Sequence, residues 1–146
     1  MPFARFAPVS LDGDRIRTKL QDIVRAKDRL QRIQALGRDS FLSDEDNQDI
    51  ARSRLLVATE AALNICYHTA AKKLHKVPEE YGQCFQLLGE AELIPQDLAS
   101  RLAMMARFRN RLVHMYWDVD YSQVYEILSE SLSDLDEFSR HVATWL

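Results

Sequence analysis

The chain has 146 residues, 47% of them hydrophobic, and a formal net charge of −3, which is enough for one domain with a buried core. With only four glycines and four prolines, and no β-branched runs, the composition favours an all-α protein over a β-sheet protein. The negative charge argues against a surface that binds polyanions over the whole molecule, although it leaves room for a local basic cleft.

Redox state and location can be read from the cysteines and the apolar runs. Cys66 and Cys84 are too few for a disulfide framework, and Cys66 lies in an apolar helical run, so we expect a buried free thiol. The first ten residues, MPFARFAPVS, contain no hydrophobic run long enough for a signal peptide, and no apolar run in the sequence reaches transmembrane length. We therefore expect a cytoplasmic protein without membrane contact, in which residues 1–146 form one domain and residues 1–10 are flexible.

The first half of the chain predicts two long helices. The first covers about residues 14–36 and stops before Gly37. The polar segment 38–46 is expected to form the connection, in which Asp44 or Asp46 caps the next helix. The second helix covers about residues 47–74.

The second predicted helix is apolar nearly all round between residues 55 and 71, which is typical of the centre of a bundle. Its polar exceptions, Glu60, Asn64 and His68, are spaced four apart and share one stripe. One interpretation is a polar seam that faces water or a partner. The other is that Glu60 pairs across the bundle with Arg109, an arginine further along the chain.

Three more helices are predicted in the second half. A short one covers about residues 84–91, and a longer one runs from about residue 95 to residue 115, with Pro95 in its first turn. Asp120 is expected to cap the last helix. Its apolar side comprises Val124, Ile127, Leu128, Leu132, Leu135, Phe138 and Val142.

The segment 101–116, RLAMMARFRNRLVHMY, contains four arginines and one histidine but no acidic residue, and it provides the local basic cleft. Within and just before it, a core-facing helical stripe is formed by Leu98, Leu102, Met105, Leu112 and Tyr116. Arg109 falls in the middle of that stripe. Because a permanently charged guanidinium is costly to bury alone, Arg109 needs a partner or a function.

Arg109 and His114 do not share a helix face, because five residues place them about 140° apart. Either the helix end is distorted, or a second copy completes the site across a two-fold axis. The competing interpretation is an arginine-rich amphipathic face that is simply solvated, since an arginine and a histidine at this spacing are a weak signal without further evidence.

These residue types suit cleavage of RNA, in which the 2′-hydroxyl attacks the adjacent phosphate. A histidine such as His114 can remove that proton or protonate the leaving 5′-oxygen. The arginine fork of Arg109 can stabilise charge on the phosphate oxygens, and Arg107 and Arg111 can bind neighbouring phosphates. Asn110 can orient His114 or hold a phosphate oxygen.

Other kinds of site lack a motif in this chain. His68, His75 and His141 have no partner at metal-ligand spacing, and there is no CxxC or HExxH pattern. The sequence also lacks the two glycine-rich motifs that bind nucleotide phosphates, GxxxxGK[ST] and GxGxxG. The sequence therefore predicts no metal site and no cofactor.

The octapeptide 109–116, RNRLVHMY, resembles the Arg-x4-6-His motif of HEPN domains and, more closely, the RNxxVHxY form of their HepT-like branch. The surrounding stretches ATEAALNICYHTA, PEEYGQCFQLLGEAELIPQDLASRLAMMARFRNRLVHMYWDVD and YEILSESLSDLDEF also look like that branch. The resemblance implies an all-α, HEPN-type helical bundle of four to five helices. It also implies a homodimer in which the motif helices meet at a cleft.

The same resemblance implies roles for the motif residues. Arg109 and His114 would be the ribonuclease residues. Asn110 would be a supporting polar residue, as would Glu60, the partner considered above for Arg109. In HepT-like toxins, an MntA-like nucleotidyltransferase antitoxin transfers AMP from ATP to the motif tyrosine, which is Tyr116 in this chain. The added anion would then compete with RNA phosphate near the arginines.

We therefore expect the toxin of a type VII toxin–antitoxin system, a metal-independent RNA endonuclease that acts as a homodimer and is neutralised by AMP on Tyr116. Its expected partners are an RNA substrate and the MntA-like antitoxin. The alternative is a non-catalytic HEPN subunit that partners a minimal nucleotidyltransferase. In that case the basic cleft would bind a nucleotide or an acidic surface of the partner.

Overall fold

The structure is a computed structural model that describes residues 11–146, apart from the side chain of Tyr116, and every regular element in that range is helical. The all-α prediction is thereby confirmed. Residues 1–10, for which the sequence predicts flexibility, lie outside the described residues. Within the described range, no helix is both long enough and apolar enough to cross a membrane.

Seven α-helices are present in the described range, and two short turns extend or follow them. The helices are α1 (Gly13–Gln34), α2 (Arg38–Leu42), α3 (Glu45–Thr69), α4 (Tyr81–Glu90), α5 (Gln96–His114), α6 (Tyr121–Glu130) and α7 (Leu132–Ala143). A π-helical turn at Ala70–Leu74 continues α3, and a 3-10 turn at Tyr116–Asp118 follows α5.

Aspartate caps determine where three of the helices begin. The side chains of Asp12, Asp44 and Asp120 each accept a hydrogen bond from a backbone N–H in the first turn of α1, α3 and α6. Such a carboxylate satisfies a free donor and lies at the positive end of the helix dipole. Of the two caps predicted for α3, Asp44 is the one used, and the predicted cap at Asp120 is confirmed.

Two segments differ in kind from the predicted helices, and α4 begins at Tyr81, three residues before its predicted start. The connection at residues 38–46 contains α2, whose Phe41 is fully buried, and Gly37 precedes it at a φ of +98°, a conformation that glycine adopts without strain. The last predicted helix is divided at Ser131 into α6 and α7. Its apolar face continues across this break, so the spacing of hydrophobic residues did not reveal it.

Two antiparallel helix pairs frame the bundle: α1 pairs with α3, and α4 pairs with α5. At one end of the first pair, the Asp12 N–H of the α1 cap donates to His68 Nε2 of α3 at 3.0 Å. In the second pair, the start of α4 lies against the end of α5. The core between the pairs includes the fully buried side chains of Phe41, Leu55, Phe85, Leu88, Leu98, Leu102, Leu112 and Phe138.

Two glycines let α4 approach α5 closely. A Cβ on Gly89 would lie 2.7 Å from the Cβ of Ala99, which is too short for two carbon atoms that are not bonded to each other. A Cβ on Gly82 would lie 3.3 Å from the guanidinium of Arg107. The first turn of α4 is therefore held beside the arginine-rich part of α5.

The two cysteines are buried and free, which confirms the expectation for Cys66. Burial, together with a hydrogen bond to Cys84, raises the pKa of the Cys66 thiol. The thiol is therefore uncharged at neutral pH and contributes to the core as a small apolar side chain.

Phe138 is expected to be one of the most stabilising side chains of the core. Its ring is fully buried and packs edge to face against Phe85, with ring centroids 5.6 Å apart. Phe138→Ala should lower the free energy of unfolding by about 3–5 kcal/mol, measured by urea denaturation, because it leaves a cavity. Leu36→Ala, at a side chain that is 59% exposed, is the control and should change it by less than about 0.5 kcal/mol. Equal effects of the two substitutions would contradict this description of the core.

Candidate active site

Arg109 lies at the edge of the core and is held on three sides. The stripe around it is buried as predicted at Leu98, Leu102, Met105 and Leu112. The Arg109 side chain, only 14% exposed, forms an ion pair with Glu60 of α3. Its Nη1 donates to Asn110 Oδ1 at 3.1 Å, and its guanidinium carbon lies 4.9 Å from the centroid of the Tyr81 ring.

The ion pair confirms the second of the two interpretations of the polar stripe, in which Glu60 partners Arg109. The Glu60 side chain is 44% exposed, so the ion pair lies at the solvent-facing edge of the core rather than deep within it. A guanidinium has five N–H donors, and the Nε donor of Arg109 is buried without a hydrogen-bond partner among the described residues. Arg109 is therefore oriented by its neighbours, and its donors are only partly used.

The other two members of the stripe join α3 to α1. Asn64 accepts a hydrogen bond of 3.1 Å from the guanidinium of Arg15, and His68 accepts the backbone N–H of Asp12. Burial, together with the charges of Arg15 and Lys72, lowers the pKa of His68. The stripe is thus a set of contacts between helices, and not a seam that only faces water.

Tyr81 is a site residue that the sequence reasoning missed. Its ring supports the Arg109 guanidinium from the first turn of α4, and it packs at 90° against Tyr67, with ring centroids 6.1 Å apart. A cation over an aromatic face gains about 0.5–2 kcal/mol and keeps the planar group in one orientation. The available signal was an aromatic residue at the start of a helix next to Gly82, which allows the close approach of α5.

His114 is the last residue of α5 and is exposed. The helix is regular up to this point, and the next amide, Met115 N–H, donates to Arg111 O at 2.9 Å. The distorted helix end considered above is therefore wrong. On a regular helix, Arg109 and His114 are about 140° apart, and no hydrogen bond or ion pair joins His114 to a described residue.

The basic character of the segment 101–114 is weaker than the sequence suggested. Arg101 forms ion pairs with Asp97 of its own helix and with Asp134 and Glu137 of α7, at 2.9 to 3.3 Å. Its hydrogen bond lowers the pKa of the Asp97 carboxyl. The expectation that all four arginines contribute to a basic cleft is therefore wrong for Arg101, because acidic residues from α7 neutralise it.

Arg107 and Arg111 keep the exposure that binding of phosphate requires. Both side chains are exposed, and neither forms an ion pair with a described residue. Arg107 lies beside Gly82 at the start of α4. These two arginines can therefore supply positive charge near Arg109, which is consistent with the predicted contacts to phosphate.

The remaining predicted features concern Tyr116 and metal ions. Tyr116 begins the 3-10 turn two residues after His114, but its side chain lies outside the described part of the structure. The next residue, Trp117, is 71% exposed. Among residues 11–146, no group of three or more His, Cys, Asp or Glu side chains is arranged to hold a metal ion.

A family model and two characterised relatives of this chain all point to the same family. The family model described as Ribonuclease HepT-like matches residues 22–142. The chain is 30% identical over 131 residues to the tRNA nuclease HepT of Aphanizomenon flos-aquae, covering 90% of this chain and 89% of that protein. It is 29% identical over 126 residues to the mRNA nuclease HepT of Shewanella oneidensis, covering 86% of this chain and 94% of that protein.

Solved structures with a similar fold include a member of the same toxin family. The tri-AMPylated HEPN toxin of Shewanella oneidensis, solved in complex with its MNT antitoxin, superposes with a TM-score of 0.83 at 27% identity. The match covers 90% of this chain and 98% of that one. The cytosolic protein YutE of Bacillus subtilis, at 14% identity and a TM-score of 0.81, shares the fold. The family model and the relatives together place the chain in the HepT-like ribonuclease family of HEPN proteins.

Proposed function

We propose that this chain is the toxin of a type VII toxin–antitoxin system and acts as a metal-independent RNA endonuclease. The observation that carries this proposal is the Arg109 guanidinium, held by Glu60, Asn110 and Tyr81 at the edge of the core, with an exposed His114 at the end of the same helix. The two HepT relatives are named as a tRNA nuclease and an mRNA nuclease, which supports RNA as the substrate. One domain over residues 1–146 and a cytoplasmic location belong to the same proposal.

The proposed reaction is an internal transesterification. The 2′-oxygen attacks the adjacent phosphorus while a His114 imidazole takes its proton. The bond from phosphorus to the 5′-oxygen then breaks, and an imidazolium donates a proton to that oxygen. The products are a 2′,3′-cyclic phosphate and a 5′-hydroxyl. Arg109 stabilises the negative charge that develops on the non-bridging oxygens, helped by Asn110.

We further propose that the active site is shared between two copies of the chain. Because α5 is regular, a single helix directs Arg109 towards Glu60 and His114 away from it. A two-fold axis next to α5 would place His114 of one copy opposite Arg109 of the other. Each homodimer would then hold two composite sites.

A mixed dimer tests this sharing. Chains with Arg109→Ala and chains with His114→Ala are each expected to be inactive, but co-expression of the two should restore about a quarter of the wild-type activity, since half of the dimers are mixed and each mixed dimer has one intact site. Cleavage of a labelled RNA by the purified mixture is the measurement. The double variant Arg109→Ala/His114→Ala, expressed by itself, should remain inactive. A mixture as inactive as its components would show that each site lies within one chain.

Tyr116 is the proposed acceptor of AMP. Its phenol oxygen would attack the α-phosphorus of ATP, release pyrophosphate and lose its proton in a reaction catalysed by the partner nucleotidyltransferase. The tri-AMPylated toxin with its MNT antitoxin is the precedent among similar structures. The resulting anion would lie close in sequence to Arg111 and His114, where it would compete with RNA phosphate.

Tyr116→Phe should therefore remove both the modification and the neutralisation. After incubation with ATP and the cognate nucleotidyltransferase, mass spectrometry should detect added AMP on the wild-type chain and none on the variant, because the acceptor oxygen is missing. Tyr121→Phe, at a nearby half-buried tyrosine, is the control and should accept AMP normally. AMP addition to Tyr116→Phe at the wild-type level would reject Tyr116 as the acceptor.

The alternative function is a binding subunit without catalytic activity. Expression of the chain without any partner separates the two functions, because only a ribonuclease should arrest growth, and His114→Ala should then relieve that arrest. Normal growth, together with no cleavage of RNA by the unmodified purified chain, would favour the binding subunit.

A further inference from the structure

A basic groove lies between α1 and α3, outside the site described above. It has a volume of about 760 Å³, and its arginines are Arg25, Arg29 and Arg32 of α1 and Arg54 of α3. The aspartates Asp28 and Asp49 also line it. Four guanidinium groups against two carboxylates give the groove a positive charge, although the whole chain has a formal net charge of −3.

The arginines of this groove are not neutralised by contacts. Arg25, Arg32 and Arg54 are exposed and Arg29 is half-buried, and none of them forms an ion pair or a side-chain hydrogen bond within residues 11–146. Arg101, by contrast, contacts three carboxylates. Holding four like charges close together without partners is unfavourable, so such a cluster indicates a surface that meets an anion.

The groove lies on the same face of α3 as Glu60 of the proposed active site. Ser53 lines the groove and lies within about 20° of Glu60 around the axis of α3, because the two are seven residues apart. The same seven residues separate them by roughly 10 Å along the helix. The groove and Glu60, the partner of Arg109, therefore lie on one face of α3.

We propose that this groove binds the phosphate backbone of RNA and extends the cleavage site along α1 and α3. This inference rests on the proposed ribonuclease function. The lining favours RNA over a protein surface, because seven of its eight residues are polar or charged and Ile50 is the one apolar residue among them, and because arginine forks suit phosphate oxygens. Contacts of this kind position the substrate without reading its bases.

The test measures RNA affinity in a chain that binds without cutting. In a His114→Ala background, the groove variant Arg25→Gln/Arg54→Gln should bind a labelled single-stranded RNA of about 20 nucleotides, longer than typical single-strand binding sites, about tenfold more weakly at low salt. The slope of log affinity against log salt should become shallower by about 1.4, because two phosphate contacts are lost. Arg25→Lys/Arg54→Lys keeps both charges and should retain the slope.

The control variant is Arg17→Gln/Arg140→Gln, which removes the same charge from exposed positions outside the groove and should bind RNA as the background chain does. Thermal unfolding of each variant checks that the fold is intact. A groove variant with the affinity and salt slope of the control would overturn the proposal, and a simultaneous loss of antitoxin binding would then assign the groove to an acidic protein partner. Absence of RNA binding by the His114→Ala background itself would overturn the proposed function as well.

Discussion

Replacing His114 by alanine is expected to abolish RNA cleavage and to leave the fold intact. His114 is exposed at the end of α5 and contacts no described residue through a hydrogen bond or an ion pair, so the free energy of unfolding should change by less than about 0.5 kcal/mol. Loss of a general acid or base typically lowers the rate by about 10²–10⁴-fold. Here the same residue serves in both roles, so the upper end of that range is expected. The measurement is the initial rate of cleavage of a labelled RNA.

Val113→Ala is the matched control for His114→Ala. Val113 is the preceding residue of α5 and is 39% exposed, so its truncation disturbs the same helix end without removing a titratable group. We expect its cleavage rate to stay within about twofold of wild type. If His114→Ala were as active as Val113→Ala, a different residue would have to move the protons.

Arg109→Lys is the second substitution with a large expected effect. Lysine keeps the positive charge but lacks the planar fork, so it cannot contact Glu60, Asn110 and the Tyr81 ring in the way that the guanidinium does. We expect cleavage to fall by about 10²–10³-fold, which is the usual loss when a donor that stabilises transition-state charge is removed. Single-turnover rates at saturating enzyme would measure this loss separately from RNA binding.

Stability distinguishes the catalytic role of Arg109 from a structural one. The Glu60 side chain is 44% exposed, so water can solvate the carboxylate that Arg109→Ala would leave behind, and loss of the ion pair should lower the free energy of unfolding by no more than about 1 kcal/mol. Loss of the contact with the Tyr81 ring should lower it by about a further 0.5–2 kcal/mol. Arg140→Lys, on an exposed face of α7, is the control and should keep both activity and stability. Wild-type activity in Arg109→Lys would mean that a point charge is sufficient at this position.

The long helices of the fold could be predicted from the sequence because their apolar spacing and caps agree. The spacing identified α1, α3 and α5, and aspartates marked the start of α3 and α6. The short helix α2 was missed because its five residues are too few to show a period, and because the contacts that hold it, such as the burial of Phe41 and the hydrogen bond of Arg38 to Ser122, are with other elements. The break at Ser131 was missed because the buried side chains on both sides of it keep one continuous spacing.

The site could be predicted only where one helix carried the signal. A charged residue in an apolar stripe pointed to Arg109, and an acidic residue in the central helix pointed to Glu60 as its partner. Tyr81 and the carboxylates that neutralise Arg101 lie on other helices, so no local pattern in α5 could indicate them. The basic groove likewise depends on the antiparallel pairing of α1 with α3, which brings arginines from two distant segments together.

The chemistry of the RNA ends after cleavage would show whether the chain cleaves RNA by transesterification without a metal ion. The purified, unmodified chain would be incubated with a defined tRNA in the presence of EDTA, and the ends of each fragment would be identified by mass spectrometry. Arg109 and His114 acting without a metal ion should leave a 2′,3′-cyclic phosphate and a 5′-hydroxyl. Fragments with a 3′-hydroxyl and a 5′-phosphate, or cleavage that stops when EDTA is added, would contradict the account.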